Sequence, residues 1–445
     1  MGGKFVEMPV MSRVLGLAVV LLLFVLPIPG TIALRHGLTL LALGLILLLW
    51  RSMHPLRADS SAKMLHMAGW LTVITLWILL QAGLFSEESR WAFKEITNQW
   101  LPALIAALIG WFAVICARAS GLSQERVLGL IVLVFLAQAV FSLVSTFPDF
   151  LSTGAFPQSK TRWTAGKLEI SYWNNIALAI LAVDLLSRWR YRQQVTNLSL
   201  LVVGAGVLLL LMSNLAFGAR NGIIGSIMLL VSLGVLVAWR ERRRIGIAKT
   251  LALFLVASVL ASLMAFGSLK LDPRWASFKE TAAIAWDIKS HDAWLDPDNR
   301  PLPSLASGQP VEASAYLRIS WIRAGIDLVA DYPMGVGYGR NAFGHALRKT
   351  QETRVGHAHS GIIDWSVGTG LPGLVLWLGM IGSIIWIGLR RYFDRQDPTG
   401  LIVAFVAGGF LGRMMLDTIN RDHMLMVFFM MLAILISLPE RPVKE

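Results

Sequence analysis

The chain has 445 residues, 56% of them hydrophobic and only 15% charged, with a mean hydropathy of +0.63, which excludes a water-soluble globular protein. The formal net charge is +13, but the lysines and arginines sit in short segments between apolar runs rather than on a soluble basic domain, so no nucleic-acid partner is expected. The single cysteine, Cys116, lies within an apolar run, which rules out a disulfide framework, a CxxC zinc pair and a thiol nucleophile with a basic neighbour.

A helix that crosses a bilayer needs about 20 apolar residues and must satisfy its own backbone, so spans can be counted as apolar runs. They fall near 13–30, 31–50, 66–85, 100–117, 127–147, 172–187, 198–217, 222–239, 250–268, 361–388, 400–416 and 424–438, about twelve in all. The first follows Lys4 and Arg13 as a secretory signal would. No small-residue cleavage site precedes the run at Thr31–Trp50, so it reads as a retained anchor. With the N-terminus inside, the connections that fall in the cytoplasm carry Arg51, Arg57 and Lys63; Arg118 and Arg126; Arg188, Arg190 and Arg192; Arg240, Arg242, Arg243, Arg244 and Lys249; and Arg390, Arg391 and Arg395. This obeys the positive-inside rule and puts both termini in the cytoplasm. Few cations remain outside, among them Arg162, Arg220 and Arg421, and each needs a reason to be there.

The expected organisation is therefore nine spans in residues 1–268, an external loop domain at 269–360, and three spans in 361–445. The loop is far longer than a helix connection requires. Pro273–Ile288 puts Trp275, Phe278, Ala282 and Trp286 on one helical face, suited to a membrane surface or to the bundle. Leu295–Ser314 is rich in proline, serine and glycine and should be irregular. A second helix is expected from Ser314 to Ala330, packed through Leu317, Trp321, Ile322 and Gly325, followed by a glycine-rich turn at residues 335–344. Gly335-Val336-Gly337-Tyr338-Gly339 lacks a preceding strand and reads as a turn permitting close backbone approach, not as a dinucleotide site. There is no evident internal repeat of the kind many transporters carry.

His357 and His359 lie at the outer mouth of the tenth run, where an imidazole can act as a general base; interfacial histidines satisfied by water or backbone are the plainer alternative. Their i, i+2 spacing does not share a helical face, and no acidic motif completes a ligand set, so no metal or other cofactor is expected. Arg220 occupies a very short external turn, close enough to the bilayer for its planar fork to hold lipid phosphate oxygens, either of a substrate or of a headgroup. Arg318, on the packed side of the second loop helix, needs a partner: Asp327, Glu312 or an anionic ligand. Polar clusters at Arg162–Asn175 and at Arg413, Asp417, Asn420, Asp422 and His423 mark two further helix mouths.

In order, Ala219-Arg220-Asn221-Gly222, Leu317-Arg318-Ile319-Ser320-Trp321, Pro333-Met334-Gly335-Val336-Gly337-Tyr338-Gly339, His357-Ala358-His359-Ser360 and Gly368-Thr369-Gly370-Leu371-Pro372-Gly373 resemble the O-antigen ligase and polymerase superfamily of Gram-negative bacteria, over about residues 160–375. The resemblance implies an all-α polytopic inner-membrane glycosyltransferase of GT-C-like type, with a partly helical periplasmic loop. Its implied reaction is metal-independent and inverting, moving a polysaccharide from undecaprenyl diphosphate to a sugar hydroxyl of lipid A-core in lipopolysaccharide biosynthesis. Arg220 and Arg318 match the family's two arginines and His359 its loop histidine, with His357 in support. Arg162 and Asn174-Asn175 fall where the family has an Arg…Asn-Pro-Asn stretch, although no proline separates the asparagines here, and Asp417 matches by position alone. The sister activity, O-antigen polymerisation, is the alternative within the superfamily. A polysaccharide flippase or solute carrier is the alternative outside it, and would need charges along a pathway, where Asp184 is nearly the only acid deep in a span.

Overall fold

The structure, a computed structural model, describes residues 3–271 and 277–440. Its helices in chain order are α1 (Gly3–Val25), α2 (Ile32–Leu49), α3 (His54–Leu84), α4 (Ser89–Glu95), α5 (Leu101–Ala119), α6 (Gln124–Ser145), α7 (Phe147–Thr153), α8 (Lys167–Tyr191), α9 (Leu200–Ala216), α10 (Arg220–Leu271), α11 (Phe278–Trp286), α12 (Ala313–Asp331), α13 (Ala342–Leu347), α14 (Gly361–Phe393), α15 (Thr399–Leu416) and α16 (Asp422–Ser437). A π-helical turn at Ile96–Trp100 joins α4 to α5. Among the described residues the one β contact is an isolated bridge between Ser304 and Pro310.

The protein is a polytopic all-α membrane protein. Among the described residues eight helices are long and apolar enough to cross a bilayer, and Val10–Val25, Leu200–Ala216 and Asp422–Ser437 are shorter apolar helices. The eighth and ninth expected runs are both helical, carried by α10 and separated by a break at Gly246 (φ +79°). The expected face residue Trp275 lies outside the described residues.

The interior is aromatic. Trp100, Trp365, Trp377, Phe410, Phe428 and Phe429 are buried together, with Trp365 and Trp377 centroids 4.3 Å apart and Phe410 stacked on Phe428 at 3.8 Å. Offset and edge contacts of this kind add stabilisation beyond the area they bury. Asp184, fully buried in α8, is a staple rather than a pathway charge. Its carboxylate accepts the amides of Val195 (2.6 Å) and Thr196 (2.9 Å) and the Nε of Arg188 (2.7 Å), closing the turn between α8 and α9. That occupancy weighs against the transporter alternative. At the same end of the bundle Arg391 is buried against Asp397, at 2.6 Å, and Arg240 lies over the ring of Tyr392.

The segment at 277–360 caps the opposite end, around a second core of Trp294, Tyr316, Trp321, Ala324, Leu328, Phe343 and Leu347. α11 packs through Thr281 and Ala285, leaving the aromatic face of Phe278 and Trp286 exposed. The packed face of α12 is rotated from the expected one: Tyr316, Ser320, Trp321, Ala324, Gly325 and Leu328 are buried, while Leu317 and Ile322 are only half-buried. Ser320 can enter this face because its hydroxyl donates to Ala285 O at 2.9 Å. Within the glycine-rich stretch the chain forms the short helix α13, which sequence periodicity did not reveal.

A break in α14 at Gly370 (φ +72°, ψ 178°) fixes this cap to the bundle. The break and Pro372 release α14 backbone groups, and the loop takes them up. Val336 N–H donates to Val367 O (2.9 Å), Gly337 N–H to Gly368 O (3.0 Å), and Leu371 N–H to Pro333 O (2.9 Å). Trp77 Nε1 donates to Thr369 O at 2.8 Å. The glycines are required by proximity, since a Cβ on Gly335 would stand 2.5 Å from Gly370 N and one on Gly370 would stand 2.4 Å from the Met334 carbonyl carbon. Gly370→Ala combines a left-handed backbone with a clash against backbone, and should cost at least about 2 kcal/mol. A detergent melt of the purified variant should fall by several degrees; an unchanged melting temperature would mean that the loop is not stitched to α14 here.

Candidate functional site

Four helices, α10, α12, α14 and α15, meet at one residue, Asp417. Asp417, fully buried just beyond the end of α15, accepts a hydrogen bond from Asn221 Nδ2 at 2.5 Å, and its Oδ1 stands 3.8 Å from Arg318 Nη2 on α12. Its Oδ2 lies 3.9 Å from Arg413 Nε, one turn back on α15, and its main-chain oxygen accepts Gly361 N–H, at 3.0 Å, at the start of α14. Burial pushes the Asp417 carboxyl above the usual carboxylate range, against the opposing pull of Arg413, Arg318 and the Asn221 amide. Of the partners considered for Arg318, Asp327 pairs instead with Arg323, and Glu312 caps α12 by accepting Ala315 N–H. A distant acid closes the pair, one that local spacing cannot reveal.

Arg220 is the first residue of α10, next in sequence to Asn221, and so stands at the amino-terminal end of that helix, where the macrodipole favours anions. The turn that delivers it is tight: Gly218 adopts φ +58°, and Ala219 N–H donates to Asn214 O at 2.9 Å. Arg220 itself is half-buried.

The histidine loop lies within electrostatic reach of Arg318. His359 stacks on Trp321 of α12, with centroids 5.1 Å apart and planes 15° apart, and meets the ring of His357 edge-on at 4.2 Å. Its backbone is in the left-handed region, φ +51°, a strained conformation for a residue with a Cβ. Neighbours hold it there: Ala358 N–H donates to Asp364 Oδ1 (2.9 Å), His359 N–H to His357 Nδ1 (3.3 Å) and Ser360 Oγ to Met414 O (3.4 Å). Asp364 is in turn held by the hydroxyl of Thr418. His357 is thus a backbone acceptor that shapes the loop, which requires its Nδ1 to be unprotonated.

Burial, reinforced by the charges of Arg318 and Arg421, lowers the His359 imidazole to about 4. Burial, with Arg421 and His359, lowers His357 to about 3. Both rings are therefore neutral at neutral pH, and the single acceptor nitrogen of His357 is already engaged by His359 N–H.

Two expected residues stand apart from the cluster. Arg162 is exposed with its guanidinium 4.8 Å from the ring centroid of Trp163. Asn174 is buried in α8, donating to Ser213 Oγ (3.1 Å) and Asn214 Oδ1 (2.9 Å) of α9, where it joins helices. Conversely, sequence reasoning passed over Asp364, although an acid in the first turn of a span was itself a signal. Arg421 had been marked only as a cation on the unfavourable side. Among the described residues no group of three or more histidine, cysteine, aspartate or glutamate side chains could hold a metal ion.

Taken together these features define a polytopic helical membrane protein with a cation-rich polar site, served by neutral histidines, at one end of its bundle. Residues 205–378, fewer than half of the chain, match the family model described as O-antigen ligase. The match covers Arg220, Arg318, His357 and His359. No curated protein matches the chain.

The depressed imidazoles carry a sign that can be tested. The unfolded chain binds these protons near pH 6.5, before the folded one does, so folding stability should fall as pH drops from about 6.5 towards about 4. NMR of histidine-labelled protein should find the His359 signal unshifted down to about pH 5, and Arg318→Gln should raise its midpoint. A wild-type midpoint near 6.5 would contradict the buried site.

Proposed function

We propose that this protein is an O-antigen ligase, transferring polysaccharide from undecaprenyl diphosphate to a sugar hydroxyl of lipid A-core at the periplasmic face of a Gram-negative inner membrane. In this reading it is a multi-pass protein with both termini in the cytoplasm. The observation that carries the reading is a neutral imidazole, His359, held by a strained loop within electrostatic reach of the guanidinium of Arg318, which itself faces the buried Asp417.

The acceptor hydroxyl attacks the anomeric carbon while His359 takes up its proton as general base, and the bond to the diphosphate oxygen breaks on the opposite face, inverting that carbon. Charge builds on the departing diphosphate. Arg220 and Arg318 meet it with fixed donors and the α10 dipole. An anion placed against Arg318 also offsets one of the charges that depress His359, so donor binding raises the basicity of the imidazole when it is needed. His357 positions the loop, and Asp417 aims Arg318.

Deleting the gene should remove the long-chain ladder from lipopolysaccharide while lipid-linked polymer accumulates. A core bearing one repeat unit would instead indicate a polymerase. The site chemistry is tested by substitutions that keep charge and lose the planar fork. Arg220→Lys and Arg318→Lys should each slow transfer by about a hundredfold at matched expression. Near-normal rates in both would reduce the arginines to surface charge.

A further inference from the structure

α10 is the most loosely held span near the site, with only 22% of its Arg220–Arg240 apolar window buried. Between it and α8 and α15 lies a cavity of about 510 Å³, within the range of small-ligand pockets. The wall is apolar over most of its length, formed by residues such as Ile176, Leu229, Leu236, Phe405 and Phe410. Ile224, Met228 and Leu416, also lining it, are exposed on the outer face of the bundle, so the cavity communicates with the region lipid would occupy. α15 opens the space by presenting Gly409 and Gly412, whose absent Cβ atoms would touch nothing within 4 Å.

The polar end of this cavity holds Arg413 and Asn221. Arg413 is 5% exposed. Its Nη2 donates to Leu168 O (2.8 Å) and Ser171 Oγ (2.5 Å), but Nη1 and Nε have no hydrogen-bond partner. Among the described residues its carboxylate contact is the 3.9 Å approach of Nε to Asp417. A buried guanidinium with open donors is costly unless a ligand completes it. An apolar slot ending on such donors matches a molecule with one hydrocarbon chain and an anionic head.

We propose that this cavity binds a single-chain lipid phosphate, its wall taking the chain and Arg413, with Asn221, taking phosphate oxygens. The inference rests on the transferase reading for its choice of ligand, since Asn221 also bonds Asp417, and the cavity would seat the lipid end of the donor while Arg220 and Arg318 face the end that reacts. Arg413 is then a binding residue distinct from the two arginines that the motifs suggest.

The test is equilibrium binding of farnesyl diphosphate to the purified full-length protein in detergent, with and without competing phosphatidylglycerol. Wild type should bind, and Arg413→Gln should bind about tenfold to a hundredfold more weakly. Because Arg413 also supports Ser171 and Asp417, Gly409→Leu supplies a second variant: it fills free space on a helix that favours leucine over glycine, and should fold normally while losing the lipid. Unchanged binding in folded Gly409→Leu, or equal displacement by phosphatidylglycerol, would overturn the proposal. Lipid binding through Arg413 without any polysaccharide transfer would leave this site standing and remove the transferase reading. Transfer with farnesyl diphosphate binding indifferent to both variants would do the reverse.

Discussion

The site depends on Asp417, a carboxylate with no exposed surface held where α15 ends. An unpaired charge in such a place is expensive, and removing one partner of a buried pair typically costs about 3–5 kcal/mol. The chain meets the requirement by converging on it: Asn221 bonds one oxygen, Arg318 faces the other, Arg413 approaches from the preceding turn, and Gly361 N–H takes the main-chain carbonyl. One residue therefore registers the start of α10, the loop helix α12 and the start of α14 relative to each other. The pair with Arg318 is loose, at 3.8 Å with the arginine one-third exposed, so it orients the guanidinium without consuming its donors.

The rest of the cap keeps that registration rigid. The break at Gly370 frees backbone groups of which the 333–337 strip takes up three, so the loop cannot lift without leaving the carbonyls of Val367 and Gly368 unpaired. α12 then carries Arg318 and Trp321 one turn apart, and His359 is clamped between Trp321 and the Asp364-anchored loop. Strain at His359 is retained because its neighbours over-determine it, the usual condition for a functional residue in the left-handed region. On the opposite side of Asp417, α10 stands away from α15 and leaves a lipid-sized slot.

Much of this was legible in the sequence because bilayer thermodynamics is a strong constraint: each of the twelve apolar runs contains a helix. Arg318 and His359, singled out in the sequence as a charge on a packing face and an imidazole at a helix mouth, do lie within electrostatic reach of each other. What was not legible depends on distance in the chain. The partner of Arg318 lies in another span, and helical spacing could propose only neighbours such as Asp327. α13 hides among glycines whose composition signals a turn, and is stabilised by burial of Phe343 and Leu347 rather than by periodicity. The face of α12 was misjudged by a fraction of a turn because Tyr316 and Ser320 are polar in sequence but bury on meeting α11 and the loop.

The central claim is that Asp417 and Arg318 act as one unit in building an anion site, and a double-mutant cycle tests it most directly. Transfer rates would be measured for wild type, Arg318→Gln, Asp417→Asn and the double variant at matched folded concentration. The account predicts strong non-additivity, a coupling of about 1 kcal/mol or more, because the part of the Asp417→Asn loss that runs through Arg318 disappears once Arg318 is gone. Additive losses would contradict it, showing that the buried carboxylate and the guanidinium serve the protein separately.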